Sequence, residues 1–219
     1  MQISEKIKNI RVSGTIKMAD LARKLQGEGK EIIELSEGES DFDTPSFVIE
    51  ASYRASQQGH TRYTAVPGTL ELRKTISKKF LDNNIEYLPE EIIVGTGAKQ
   101  LIFNALFATT NPGDEIIIPA PYWVSYPDIV KLSDGTPVIV LCDQSNDFKI
   151  TADQLRESIT NKTRWLILNS PGNPTGAVYS SDELSALAKV IRIFPNLSVI
   201  CDDIYESIIY DDNKFATLA

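Results

Sequence analysis

Apolar and polar positions fall into short repeating blocks along most of the chain. Apolar runs at 91–94, 115–118, 137–141, 164–169 and 197–201 are separated by helical stretches near 98–108, 123–133, 152–159 and 181–193. The run Trp165–Leu168, like Ser198–Cys201, lacks polar alternation, which predicts strands buried on both faces. Strands alternating with helices of this length predict βα units, a mainly parallel sheet and an α/β fold. Upstream, residues 15–28 predict a helix ending at Gly27 and Gly29, and Glu31–Leu35 a short strand. A turn-rich segment, SEGESDFDTP at 36–45, leads into a helix at 46–58, and a loop at Arg62–Gly68 opens a helix at 69–83.

With 219 residues, 42% of them hydrophobic, the chain is long enough to bury a sizeable core. Its net charge of −8 argues against nucleic acid as a main partner. The first 30 residues are nevertheless basic, with seven Lys or Arg against three acids. Asp20 and Glu28 interrupt that stretch and no apolar signal core follows, so it predicts a solvated helix face and not a targeting peptide. No apolar run has the length needed to cross a bilayer. Cys142 and Cys201 stand apart at the ends of strand-like runs, as buried thiols in a reducing, cytoplasmic compartment would. A single histidine, His60, in a predicted loop gives little support to a His-rich metal site or a Ser-His-Asp triad.

Ligands of open α/β sheets bind at the carboxyl ends of the strands, and four such ends carry unusual residues. In VGTGAKQ (94–100) a strand ends, two glycines allow a tight turn and a helix begins. Either the two glycines mark a plain turn, or the free N–H groups and positive dipole there receive an anion such as phosphate, with Thr96 adding a hydroxyl donor. In PAPYWVSY (119–126) two prolines and three aromatics offer a flat face to a planar ligand, or else plain core. NSPGNPTG (169–176) is either a plain Pro/Gly loop before a helix begun near Ser180, or a stiff loop that sets the amide of Asn173 above the sheet. In SVICDDIY (198–205) a carboxylate, Asp202, ends a buried apolar strand, which is costly unless a cation or donors meet it; a capping role is the plain alternative. A phosphate, a flat ring, a polar ring substituent and a protonated ring nitrogen together describe pyridoxal phosphate.

At this point the chain resembles the class I pyridoxal-phosphate aminotransferases, the aspartate aminotransferase family of fold type I. GESDFDTP, RYTAVPGTLELR, GTGAKQ, PAPYWVSYPD, NSPGNPTGAVYS and CDDIYE stand in that family's order and spacing over essentially the whole chain. The resemblance implies a three-layer α/β/α large domain over 46–219, incomplete here, preceded by an N-terminal segment, 1–45, that serves the small domain and dimer contacts. It also implies roles. Gly97, Ala98 and Lys99 lie in the turn receiving the cofactor phosphate, and Trp123 stacks on the pyridine ring. Asn173 and Tyr205 hydrogen-bond the phenolic oxygen, and Asp202 pairs with the pyridinium nitrogen. Gly38 approaches the substrate carboxylate, with Trp123 and Asn173 also on the substrate side. Tyr63 reaches the phosphate site of a partner subunit in a homodimer. The Ala120–Pro121 and Asn173–Pro174 bonds are expected to be cis.

The implied function is transfer of an amino group between an amino acid, aspartate by default, and a 2-oxo acid. Aromatic amino acids, prephenate and alanine stay open as substrates. Three departures stand out. Ser40 replaces the family's usual proline, and Asp203 the usual glutamate beside the essential aspartate. The family's Schiff-base lysine lies a few dozen residues beyond D-x-I-Y, past Ala219, so the 219 residues alone are expected to be inactive. The rival readings are a catalytically dead domain kept for cofactor binding or subunit pairing, and another fold-type I reaction such as a lyase or decarboxylase.

Overall fold

A computed structural model of the protein describes residues 2–8, 10, 14–35, 38 and 40–219. In chain order the elements are α1 (Glu5–Lys8), α2 (Gly14–Gly27), α3 (Ser46–Gln57), α4 (Leu70–Asp82), α5 (Ala98–Thr109), β1 (Glu115–Ala120), α6 (Tyr126–Leu132), β2 (Thr136–Leu141), α7 (Ala152–Ser158), β3 (Thr163–Asn169), α8 (Ser181–Ile191) and β4 (Ser198–Asp202). Short 3-10 turns lie at Pro89–Glu91 and Gln144–Asn146. The chain divides into two compact units, Met1–Ile10 with Gly95–Ala219, and Arg11–Val94.

The first unit is built on a parallel sheet in the order β2-β1-β3-β4. β1 and β3 are central and rich in β-branched or long apolar residues. Because side chains alternate faces along a strand, each strand feeds two cores. Ile116, Ile118 and Ile167 pack with Ile102 and Leu106 of α5 and with Tyr126, Ile129 and Val130 of α6. On the other face Ile117, Leu166 and Leu168 pack with Leu155 of α7 and Leu184, Leu187 and Val190 of α8. Each such side chain contributes about 1.5–3 kcal/mol by leaving water. The result is the expected three-layer α/β/α arrangement. α8 begins where its capping box places it, with Ser180 and Glu183 each accepting the other's backbone N–H. Glu183 also pairs with the buried Lys149 at 2.6 Å, which ties the start of α8 to the loop before α7.

The second unit is helical. α2 buries only Ala19 and Ala22, and α3 and α4 bury no residue at all. Thr69 caps α4 by accepting the Leu72 N–H, and Arg73 Nη1 donates to the Pro89 carbonyl at 2.7 Å. Gly68 has φ +101°, and a Cβ there would come within 2.9 Å of Val94 Cγ2, so glycine is required on both counts.

Three expected elements differ. Residues 31–35 form no strand: Ile33 and Leu35 are 84% and 91% exposed, and without a neighbouring ladder β-propensity has nothing to act on. Residues 91–94 form no strand either: Glu91 ends the 3-10 turn, Val94 N–H donates to Pro67 O and only Ile92 is buried. The helix expected from 123 starts at Tyr126, because Pro121 lacks an N–H and Tyr126 N–H closes a turn onto Trp123 O first. Among the described residues no helix is long and apolar enough to cross a membrane.

Candidate active site

The carboxyl ends of β3 and β4 lie side by side, with Asn169 in register with Asp202. Ile200 packs into the core under α5 and α6, so alternation turns Asp202 to that same face. There the Tyr126 hydroxyl donates to Asp202 Oδ2 at 2.6 Å. Tyr126 is 2% exposed. Burial, then the Asp202 charge and the hydrogen bond to it, push the phenol far above its ordinary value, so the proton stays on tyrosine. Asp202 thus ends a buried strand as an acceptor held by a neutral donor, and among the described residues its Oδ1 has no donor.

Across from Asp202, α5 points its N-terminus at the same space. Gly97 caps the helix with φ +81° and ψ 161°, a backbone that an L side chain strains to adopt. Its neighbours Ala98 and Lys99 open the first turn, whose N–H groups have no intrahelical acceptor. Lys99 Nζ sits 4.8 Å from the Trp123 ring centroid, and Trp123 meets Tyr126 edge-on at 5.4 Å. Trp123 is thereby fixed on one edge and carries a cation beside it.

The loop after β3 is closed by its own hydrogen bonds. Gly176 N–H donates to Gly172 O at 2.7 Å, Gly172 N–H to Ala177 O at 2.9 Å, and Ala177 N–H to Thr175 Oγ1 at 3.2 Å. Ser170 Oγ accepts the Tyr179 N–H, and the Tyr179 hydroxyl accepts the Ile150 N–H at 2.8 Å. Asn173 rides on this rigid loop. The peptide bonds Ala120–Pro121 and Asn173–Pro174 are cis, as expected, and so is Ser170–Pro171, which was not expected.

A cavity of about 260 Å³ collects these groups. Its wall is Gly97, Ala98, Lys99, Trp123, Tyr126, Asn169, Asn173, Asp202, Ile204 and Tyr205. Seven of the nine residues singled out from sequence therefore line one space. The other two, Gly38 and Tyr63, belong to the Arg11–Val94 unit, where both are exposed. Of the loop around Gly38, Ser36, Glu37 and Glu39 lie outside the described residues, while Ser40 Oγ accepts the Phe42 N–H at 3.2 Å. Thr96, expected to add a hydroxyl, does not line the cavity; its N–H is taken by Gln100 Oε1 at 2.6 Å. Asp203 also lies outside the lining. Besides the apolar Ile204, two hydrogen-bonding residues of the wall carried no assigned role in the sequence, Tyr126 and Asn169. Position could have flagged both, since Tyr126 follows Trp123 by three residues and Asn169 is the last polar residue of a buried strand.

The sequence model of the family described as aminotransferase class I and II matches residues 30–219. The chain belongs to that family. Among similar aminotransferases, the probable aspartate/prephenate aminotransferase of Rickettsia felis is 51% identical over 99% of this chain and 53% of its own length. The aspartate/prephenate aminotransferase of Cereibacter sphaeroides is 48% identical over 99% of this chain and 54% of its own. The crystal structure of the aspartate aminotransferase from Rhizobium meliloti superposes with a TM-score of 0.96 at 46% identity, covering 99% of this chain and 55% of that one. The chain spans about half the length of the relatives it matches.

Proposed function

We propose that the protein acts as a pyridoxal-phosphate-dependent aminotransferase, moving an amino group between an amino acid, aspartate first, and a 2-oxo acid. The observation that carries this reading is the cavity wall itself: a strand-end carboxylate, an indole and a helix N-terminus facing one space. The donor set fits the cofactor part by part. The first turn of α5, with Gly97, Ala98 and Lys99, suits a phosphate. The Trp123 ring suits a flat heteroaromatic. Asn173 and Tyr205 suit a phenolic oxygen, and Asp202 suits a protonated ring nitrogen. When bound, pyridoxal phosphate supplies an electron sink for the pair left behind as the substrate's α-proton departs.

The chain's own residues make that sink effective. Asp202 would hold a proton on the ring nitrogen by charge, in a cavity whose wall includes Trp123 and Tyr126. Tyr126, unable to ionise near neutral pH, fixes one carboxylate oxygen so that the other faces the ligand. Aspartate as substrate is supported by the names of the relatives above, one an aspartate/prephenate aminotransferase and one a probable one. A homodimer is supported by the exposed apolar side chains of the Arg11–Val94 unit, among them Phe47, Tyr53, Tyr63 and Val66, which a second copy would cover. Gly38 at the substrate carboxylate and Tyr63 at the partner's phosphate site complete the reading. The free thiols Cys142 and Cys201 suit a reducing cytoplasm.

The test is exchange between aspartate and 2-oxoglutarate by the protein expressed from its complete reading frame with pyridoxal phosphate added. Cofactor-dependent exchange is expected. Tight cofactor binding with no exchange for any amino acid would instead favour a binding domain without catalysis.

A further inference from the structure

Asn169 is the last residue of β3, and its short side chain makes two hydrogen bonds in opposite directions. Its Oδ1 accepts the backbone N–H of Asn173 at 2.8 Å, and its Nδ2 donates to the backbone carbonyl of Asp202 at 2.7 Å. The orientation of the amide is dictated by these partners, since an N–H needs an acceptor and a carbonyl needs a donor. Asn173 sits four residues on, in the loop after β3; Asp202 sits 33 residues on, at the end of the neighbouring strand. All three residues line the same cavity.

We propose that Asn169 is a positioning residue, a two-ended clamp that sets the span between Asn173 and Asp202. The role rests on the function proposed above, in which those two side chains grip one rigid ring at two different atoms. A ring cannot stretch, so both contacts are good only when the protein holds them at one separation. The residue type follows from the geometry. Serine or threonine offers a single oxygen that is too short to reach both groups, and aspartate keeps the acceptor but sets an oxygen against the Asp202 carbonyl. Gly172 lets the loop fold back closely, since a Cβ there would lie 3.3 Å from the Asn169 carbonyl oxygen.

Hydrogen–deuterium exchange of the cofactor-free protein reads the clamp without any catalysis. Asn169→Ala should speed exchange of the Asn173 amide about tenfold, the size expected when one hydrogen bond is lost, with the sheet amides of β1 unchanged. Asn169→Asp should restore slow exchange at Asn173, because its acceptor remains. Both variants should bind pyridoxal phosphate more weakly than the parent, by about tenfold or more, the alanine variant through both contacts and the aspartate variant through the Asp202 side alone. Unchanged Asn173 exchange in Asn169→Ala, or exchange as fast in Asn169→Asp as in Asn169→Ala, would overturn the clamp. So would parental cofactor affinity in both variants. Failure of the parent protein to bind pyridoxal phosphate would overturn the functional reading on which the role rests, and that result is seen before any variant is made.

Discussion

The sheet unit and the Arg11–Val94 unit solve the same problem in opposite ways. In the first, helices on both faces leave Ile116, Ile117 and Leu166 with no exposure. In the second, α3 and α4 bury no side chain, and Phe47, Ile49 and Tyr53 of α3 are all exposed. The difference separates two kinds of apolar residue. Those in the sheet unit hold up the wall of a cavity that this unit builds from its own strand ends. Those on α3 have the right spacing for a buried face, and no described residue buries them.

The largest effect should come from the charge at the end of β4. Asp202→Asn keeps shape and removes charge, and turnover should fall by about 10²–10³, as when a preorganised donor or charge is deleted. Cofactor affinity should fall much less, because the charge matters most in the transition state. Asp203→Asn, outside the cavity lining, should have little effect on turnover. Equal damage from the two substitutions would break the assignment.

Next is the core beneath it. Leu166→Ala opens a cavity in a fully buried site and should cost about 2–5 kcal/mol in denaturant unfolding. Ile49→Ala on α3 should cost within about 0.5 kcal/mol in the isolated protomer, yet weaken self-association seen by analytical ultracentrifugation. Comparable losses of protomer stability from both would erase the contrast between the two units.

A smaller effect is expected at Tyr126. Tyr126→Phe removes the donor to Asp202 Oδ2 and should lower turnover about tenfold, the scale of one hydrogen bond to a charged group. Its pH signature has a definite sign. Burial raises the phenols of both Tyr126 and Tyr179 above the ordinary value of about 10. The native state then keeps protons that the unfolded chain has lost, so stability is complete below about pH 10 and falls as pH rises further. Tyr126→Phe and Tyr179→Phe should each flatten that alkaline fall in denaturant midpoints.

Most of the sheet unit was legible in the sequence because its strands are continuous apolar runs, such as Ile116–Ile118 and Leu166–Leu168, bounded by Gly, Pro and Asn. Such a pattern admits few other structures. Glu31–Leu35 and Glu91–Val94 read just as apolar, but a strand exists only with a partner, and pairing is not written in five local residues. The site followed the same division. Gly97 caps a helix, Asn173 stands in a loop and Asp202 ends a strand, where turn chemistry or a misplaced charge announces them. Tyr126 and Asn169 act through partners 76 and 33 residues away, so locally they read as a core aromatic and a strand-end polar group.

The central claim is that Asp202 keeps a proton on the ring nitrogen of bound pyridoxal phosphate. Nitrogen NMR of cofactor labelled at the ring nitrogen, bound to the parent protein and to Asp202→Asn, reads that proton directly. The account predicts a protonated ring in the parent at mildly alkaline pH and an unprotonated ring in the variant. The same protonation state in both would contradict it.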